Sequence, residues 1–301
     1  MSTPDLHPWT RLAAPLGTLA LQLATVPLVL IGIATLTGGL DAVPEAVRTA
    51  AGLAASALLL LFLFGLAASY LPRPAPGDVA ALASPIRGRC RAVNSPADQV
   101  PSHGVHAFAQ TYAIDLLHEP AGGERPTFGG RRAMRRPEEY PSFGRPVYAP
   151  ATGRLARVVD SARDHRCRSN WLGYVYMAVE GVVLQLRGTR GLLGNHVVIA
   201  LEDGGHVALA HLRRGSVTVR EGDRVRRGEI VAEVGNSGNS SEPHVHMQLM
   251  DRPKPTTAVG LPLLLDDIAV AEDAPAADRA DPPLVPGAAT VFHVGVTQGQ
   301  H

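Results

Sequence analysis

The chain has 301 residues, with 28 basic and 27 acidic side chains and a formal net charge of +1. That balance excludes a strongly charged partner such as bulk nucleic acid, and the length allows one sizeable domain with additions. Two cysteines, Cys90 and Cys167, stand far apart with no Cys-x-x-Cys spacing, which argues against a thiolate metal site and permits at most one disulfide.

The N-terminal quarter is apolar. Residues 12–40 and 49–72 carry no charged side chain. A helix needs roughly 20 apolar residues to cross a bilayer. The two runs predict transmembrane helices over about 13–36 and 49–71, joined as a hairpin by Asp41 to Arg48. A cleaved leader fits poorly, because the first run is long, lacks a strong basic start and is followed by a second span. The flanks carry Arg11 and then Arg73, Arg87, Arg89 and Arg91, whereas the short loop carries Asp41, Glu45 and Arg48. Charge counting therefore puts both ends of the hairpin in the cytoplasm. Pro72-Arg73-Pro74-Ala75-Pro76-Gly77 marks a boundary. The organisation expected is a membrane segment 1–72, a Pro-rich linker 73–91, a folded domain 92–262 and a tail 263–301.

From Ala92 short apolar runs alternate with Gly, Pro, Asn and Asp turns, the pattern of an all-β domain. Strands are predicted at Tyr112–Leu116, Pro146–Ala149 and Gly153–Val159, with residues 119–144 as an inserted loop. Tyr174 to Leu186 is apolar and Val-rich, which favours strand over helix. Asn195–Leu201 and His206–Leu212 read as a hairpin, and 217–235 as two strands about Gly222-Asp223. Residues 266–286 read as tail, and 289–294 as one last strand.

Pro243-His244-Val245-His246-Met247-Gln248-Leu249 alternates polar and apolar, so His244, His246 and Gln248 share one face of a strand. Two imidazoles on one face suit a metal. Asp115 and His211 are the other polar residues on strand faces; by alternation His211 lies with Val207 and Leu209.

Gly194-Asn195-His196-Val197-Val198-Ile199, Ala210-His211-Leu212, Gly222-Asp223-x-Val225-x-x-Gly228, Gly235-Asn236-Ser237-Gly238 and His244-x-His246 occur in this order. Together they resemble the M23 family of LytM/lysostaphin-type zinc peptidases over about residues 92–262. The resemblance implies a β-domain of antiparallel sheets forming a groove, a catalytic Zn2+, and peptidoglycan stem or cross-bridge peptides as substrate. It makes His246 and Asp115 zinc ligands and His211 and His244 catalytic residues. The family's His-x-x-x-Asp is absent, since Thr111 stands four before Asp115. A catalytic zinc takes three protein ligands, so a nearby loop histidine is needed. His103, beside Gly104, is favoured, with His106 the alternative. No His-Glu-x-x-His helix is present.

Two other readings compete. One is a degenerate member of the fold that binds cell wall or activates a partner hydrolase. The other is a biotinyl- or lipoyl-type carrier, but the only lysine, Lys254, lies after the last clear central strand. Arg131, Arg132, Arg135 and Arg136 read as a solvated loop face that meets anionic lipid or wall polymer rather than nucleic acid. A cell-wall substrate places the domain outside the cytoplasm, against the charge count.

Overall fold

The computed structural model describes residues 8–70, 79–122, 125–202, 204–270, 285–288 and 290–294. Helices α1 (Pro8–Leu36) and α2 (Glu45–Tyr70) form the N-terminal hairpin. Within them, Leu16–Leu36 and Glu45–Ala68 are long and apolar enough to cross a membrane. They pack antiparallel through small residues. A Cβ on Gly17 would lie 2.7 Å from that of Ala68, and one on Gly65 2.9 Å from the Leu21 backbone nitrogen. Such close backbone approach is how helices associate in lipid, where apolar burial gives no drive. Leu23, Leu30, Ile33, Leu53, Leu60 and Phe64 face outward, uncovered by protein.

The remainder is a mostly antiparallel β-domain. Its elements in order are β1 (Ala80–Leu82), β2 (Gly88–Val93), β3 (Ile114–His118), β4 (Met134–Arg135), β5 (Pro146–Tyr148), β6 (Gly153–Val159) and β7 (Cys167–Arg168). Then come α3 (Trp171–Leu186), α4 (Gly188–Leu193), β8 (Asn195–Leu201), β9 (His206–Leu212), β10 (Arg224–Val225) and β11 (Ile230–Glu233). The chain continues with β12 (Val245–Met250), β13 (Gly260–Leu261), β14 (Leu263–Leu265), β15 (Ile268–Val270) and β16 (Val291–Val294). The main sheet runs β10-β6-β8-β9-β12-β3-β2-β16-β15, with β13 also beside β12. Val197, Ile199, Val207, Leu209, Val245, Met247 and Leu249 from its three central strands fill one core. Their partners on the opposite face include Ala208 and Ala210, small residues that leave room for a site.

Most predicted strands are present, and other expectations are corrected. Residues 171–186 form a helix, not a strand. Asn170 caps it, accepting from the Gly173 amide at 3.1 Å, and its exposed residues recur at helical spacing. Residues 217–222 form no strand: Gly222 instead donates to Leu155 O at 2.8 Å, and only 224–225 and 230–233 pair with other strands. Cys90 and Cys167, whose pairing the sequence leaves open, are both buried and free. Burial raises both thiols, Cys90 to about 12. Stretches read as linker and tail also contribute strands β1, β2, β14, β15 and β16. Lys254 is exposed in the connection between β12 and β13, away from the turn that joins β10 to β11.

Candidate metal centre and catalytic cleft

Register builds the site. In the antiparallel pair β12–β3, His246 stands directly opposite Asp115. In the pair β12–β9, His246 stands opposite Ala210 and Gln248 opposite Ala208. The face with His246 is thus flanked on one side by a carboxylate and on the other by methyl groups. His244, two residues earlier, reaches the same face.

His211 arrives by a different route. Strict alternation would send it into the core with Val207 and Leu209. Between Asn195 and Val197, β8 advances two residues while β9 goes from Leu212 to Leu209. The extra residue is a bulge, and His211 sits in it with φ +61°. Bulges re-aim side chains, and this one turns His211 onto the site face while Leu212 takes the core position. The His211 ring centroid lies 4.8 Å from that of His244 and 5.7 Å from that of His246.

His103 comes from the loop before β3. Ser102 donates its backbone N–H to Thr111 O at 3.0 Å, and Gly104, with φ +74°, turns the chain back. His103 Nε2 then lies 3.1 Å from Asp115 Oδ2. His106 is used elsewhere: its Nδ1 lies 3.0 Å from the Thr111 hydroxyl. The donor atoms of His103, Asp115 and His246 lie within 4.8 Å of one another, the grouping expected of a metal site.

The hydrogen bonds fix which ring nitrogens are free. Gln248 donates to Phe108 O at 3.0 Å, so its amide oxygen faces His246 and accepts from Nε2–H at 2.8 Å. That leaves a lone pair on His246 Nδ1, which points at Asp115 Oδ1 from 2.9 Å. Ser102 Oγ donates to Gln110 O at 3.1 Å and so accepts from His103 Nδ1–H at 3.0 Å. His103 Nε2 is then also an acceptor aimed at Asp115. Likewise His211 Nδ1–H donates to Ser237 O at 2.8 Å, and His244 Nδ1–H donates to Glu242 O at 2.7 Å. Each carbonyl leaves the opposite nitrogen, Nε2, unprotonated in the neutral ring.

A buried carboxylate facing two imidazole lone pairs is a cluster of acceptors with no donor between them. It calls for a proton or a metal cation among them. The donor set, two nitrogens and one oxygen, fits zinc at a catalytic site. Asn94 supports the carboxylate, donating to Oδ2 at 2.7 Å. Burial raises Asp115, but positive charge on the His103 and His244 imidazoles, when they are protonated, outweighs it and holds the carboxyl well below its usual range. Burial, then the neighbouring His244 and His246, holds His211 well below the ordinary imidazole range. Burial also lowers His246 despite Asp115. In His244 the burial effect is overcome by Asp115, 3.5 Å away, and the net shift is upward.

The cluster opens into a cleft of about 420 Å3. One wall is the loop with Val105, Phe108 and Gln110; another is Tyr174, Met177 and Leu192 from α3 and α4. Thr18, Leu21 and Gln22 of α1 line it as well. Gln248, Asn94 and Ser102 were assigned no role by the sequence reading. Only Gln248 had a visible signal, its place on the His244/His246 face.

Comparison with known proteins gives three findings. Residues 140–258 match Peptidase family M23, a span that contains His211, His244 and His246 and begins after His103 and Asp115. The peptidoglycan DD-endopeptidase ShyA of Vibrio cholerae is 33% identical over 85 residues, covering 28% of this chain and 19% of that protein. The DD-carboxypeptidase/endopeptidase Mpg of Neisseria meningitidis serogroup B is 32% identical over 92 residues, covering 31% and 21%. The similarity therefore spans about a fifth of the length of these curated relatives. Among solved structures, the catalytic domain of lysostaphin from Staphylococcus simulans is similar at 20% identity, covering 54% of this chain and 79% of that one, with a TM-score of 0.30.

Proposed function

Because residues 140–258 match Peptidase family M23, we propose that the chain is a membrane-anchored, zinc-dependent endopeptidase that cuts stem or cross-bridge peptides of peptidoglycan. The observation that carries this reading is the convergence of His103 Nε2, His246 Nδ1 and the Asp115 carboxylate, with both imidazole lone pairs turned inward by fixed hydrogen bonds. His103, Asp115 and His246 would hold the ion, which when bound would supply a Lewis acid and lower the pKa of a water.

The chain's own residues do the rest. His211, held neutral by burial and tied through Nδ1–H to Ser237, keeps Nε2 free to accept a proton at the cleft. His244, oriented by Glu242 O, presents Nε2 to the same space and, once that nitrogen carries a proton, is the side chain that returns it to a leaving amine. The Arg125–Glu242 ion pair steadies the segment that carries this carbonyl. Phe108, Tyr174 and Leu192 wall the cleft in which a peptide would lie. The relatives named as peptidoglycan endopeptidases support the substrate class, and the exposed apolar faces of α1 and α2 support the anchor. A wall substrate requires the domain outside the cytoplasm.

The two histidine roles separate in one experiment on the full chain in detergent. His246→Ala is expected to abolish both bound zinc and cleavage of purified peptidoglycan. His211→Ala is expected to keep zinc and lower the cleavage rate roughly 10²- to 10⁴-fold. Zinc loss in His211→Ala, or unchanged cleavage, contradicts the assignment.

A further inference from the structure

Helix α3 carries a surface that the peptidase reading does not use. Trp171, Leu172, Val175, Tyr176, Val179 and Val183 project outward, Trp171 75% and Val179 67% exposed. Their spacing puts them on one face. The sequence of α3 contains a single charged residue, Glu180, and its carboxylate is taken up by the Arg168 guanidinium, whose side chain is 2% exposed. The outer face is thus apolar along its length, an unusual surface to leave in water. The helix has 16 residues, about 24 Å long, and is shorter than the roughly 30 Å needed to span a bilayer.

We propose that this face of α3 lies in the lipid interface beside the α1–α2 hairpin and seats the cleft on the bilayer. Three observations select lipid over a second copy or a protein partner. Helix α3 stands beside the hairpin, because Tyr174 and Met177 on its inner side line the same cleft as Leu21 and Gln22 of α1. The contacted part of α1 is the right end of the hairpin, since Gly17 packs on Ala68, next to where α2 hands over to the domain. The rim has the composition of a membrane boundary. Phe128 packs on Trp171 and Tyr174 with ring centroids 5.4 and 5.0 Å away, and the same insert presents Arg131 and Arg136 to solvent, with Arg132 paired to Glu139. Aromatic rings settle at the headgroup level, and arginines there attract anionic lipid. A short helix with an apolar outer face and basic flanks lies in the interface plane. The inference rests on the membrane-hairpin reading, and it places the peptides this enzyme reaches close to the bilayer.

The test uses the full chain with the other tryptophan removed, Trp9→Phe, in vesicles of phosphatidylglycerol and phosphatidylcholine bearing brominated acyl chains. Carbonate extraction reports the hairpin; Trp171 fluorescence reports α3. The expected result is a chain that resists carbonate, with Trp171 quenched several-fold more by acyl bromines than by aqueous iodide. Adding Val179→Glu is expected to shift quenching toward iodide while zinc content is unchanged. A carbonate-resistant chain whose Trp171 is quenched by iodide alone overturns the proposal and spares the hairpin. Quenching by neither reagent means protein covers the face, which also overturns it. Release by carbonate removes the hairpin reading and this inference together.

Discussion

Gln248 decides which nitrogen of His246 is available. Its amide is held by Phe108 O, so its oxygen must face the ring and take the proton on Nε2. Partners of this kind typically change metal affinity 10- to 100-fold when removed. Gln248→Ala is expected to weaken zinc binding by about that factor, measured by competition with a chromophoric chelator, whereas Gln248→Glu, which keeps an acceptor, should lose less. Unaltered affinity in Gln248→Ala would mean that the ring is oriented by packing alone. At this scale the sequence was legible where alternation holds. His244, His246 and Gln248 fall on one face because β12 is regular, and Asp115 meets them because an antiparallel partner is directly opposite. His103 was less legible. Its approach depends on a loop folded by Ser102 and Gly104, and in the order of residues only the neighbouring Gly104 favours it over His106.

At the scale of elements, one added residue and one misread helix account for most of the difference between expectation and structure. Alternation assigned His211 to the core side of β9; the bulge at φ +61° moves it to the cleft. Long-range pairing with β8 sets that bulge, so no local pattern in His206–Leu212 reveals it. Helix α3 was read as strand because Val favours strands, yet the outward spacing from Trp171 to Val183 is helical and Asn170 supplies the cap. Valine's modest helix penalty of a few tenths of a kcal/mol is readily outweighed by tertiary surroundings. The loop that fixes His211 depends on a close crossing at Gly194. Its φ is +61°, and a Cβ there would lie 2.4 Å from the Ser237 carbonyl carbon and 2.6 Å from the Gly238 nitrogen. Neither atom belongs to a flexible side chain. Gly194→Ala is therefore expected to cost about 2 kcal/mol or more in stability and to displace the Ser237 carbonyl that orients His211. Thermal unfolding with parallel cleavage assays checks this; an unchanged midpoint would show that the crossing relaxes freely.

For the whole molecule, the domain sits against the end of its own apolar helical hairpin, and α1 supplies part of the cleft wall. The arrangement brings two sequence-level signals into conflict. The arginines flanking the hairpin place the domain inside by charge count, and a peptidoglycan substrate places it outside. Few of those charges stand close to the spans, and long folded domains cross membranes largely regardless of charge. A C-terminal reporter active only outside the cytoplasm is expected to be active; a silent one, with a cytoplasmic reporter active instead, would require a different substrate. The central claim is that three side chains from a loop and two strands assemble one catalytic zinc site. It is tested most directly by zinc analysis of the purified full chain, followed by incubation with peptidoglycan before chelation, after chelation and after zinc is restored. The expected result is one zinc per chain and cleavage that disappears with the metal and returns with it. A chain that takes up no zinc and leaves peptidoglycan intact when zinc is supplied would contradict the account.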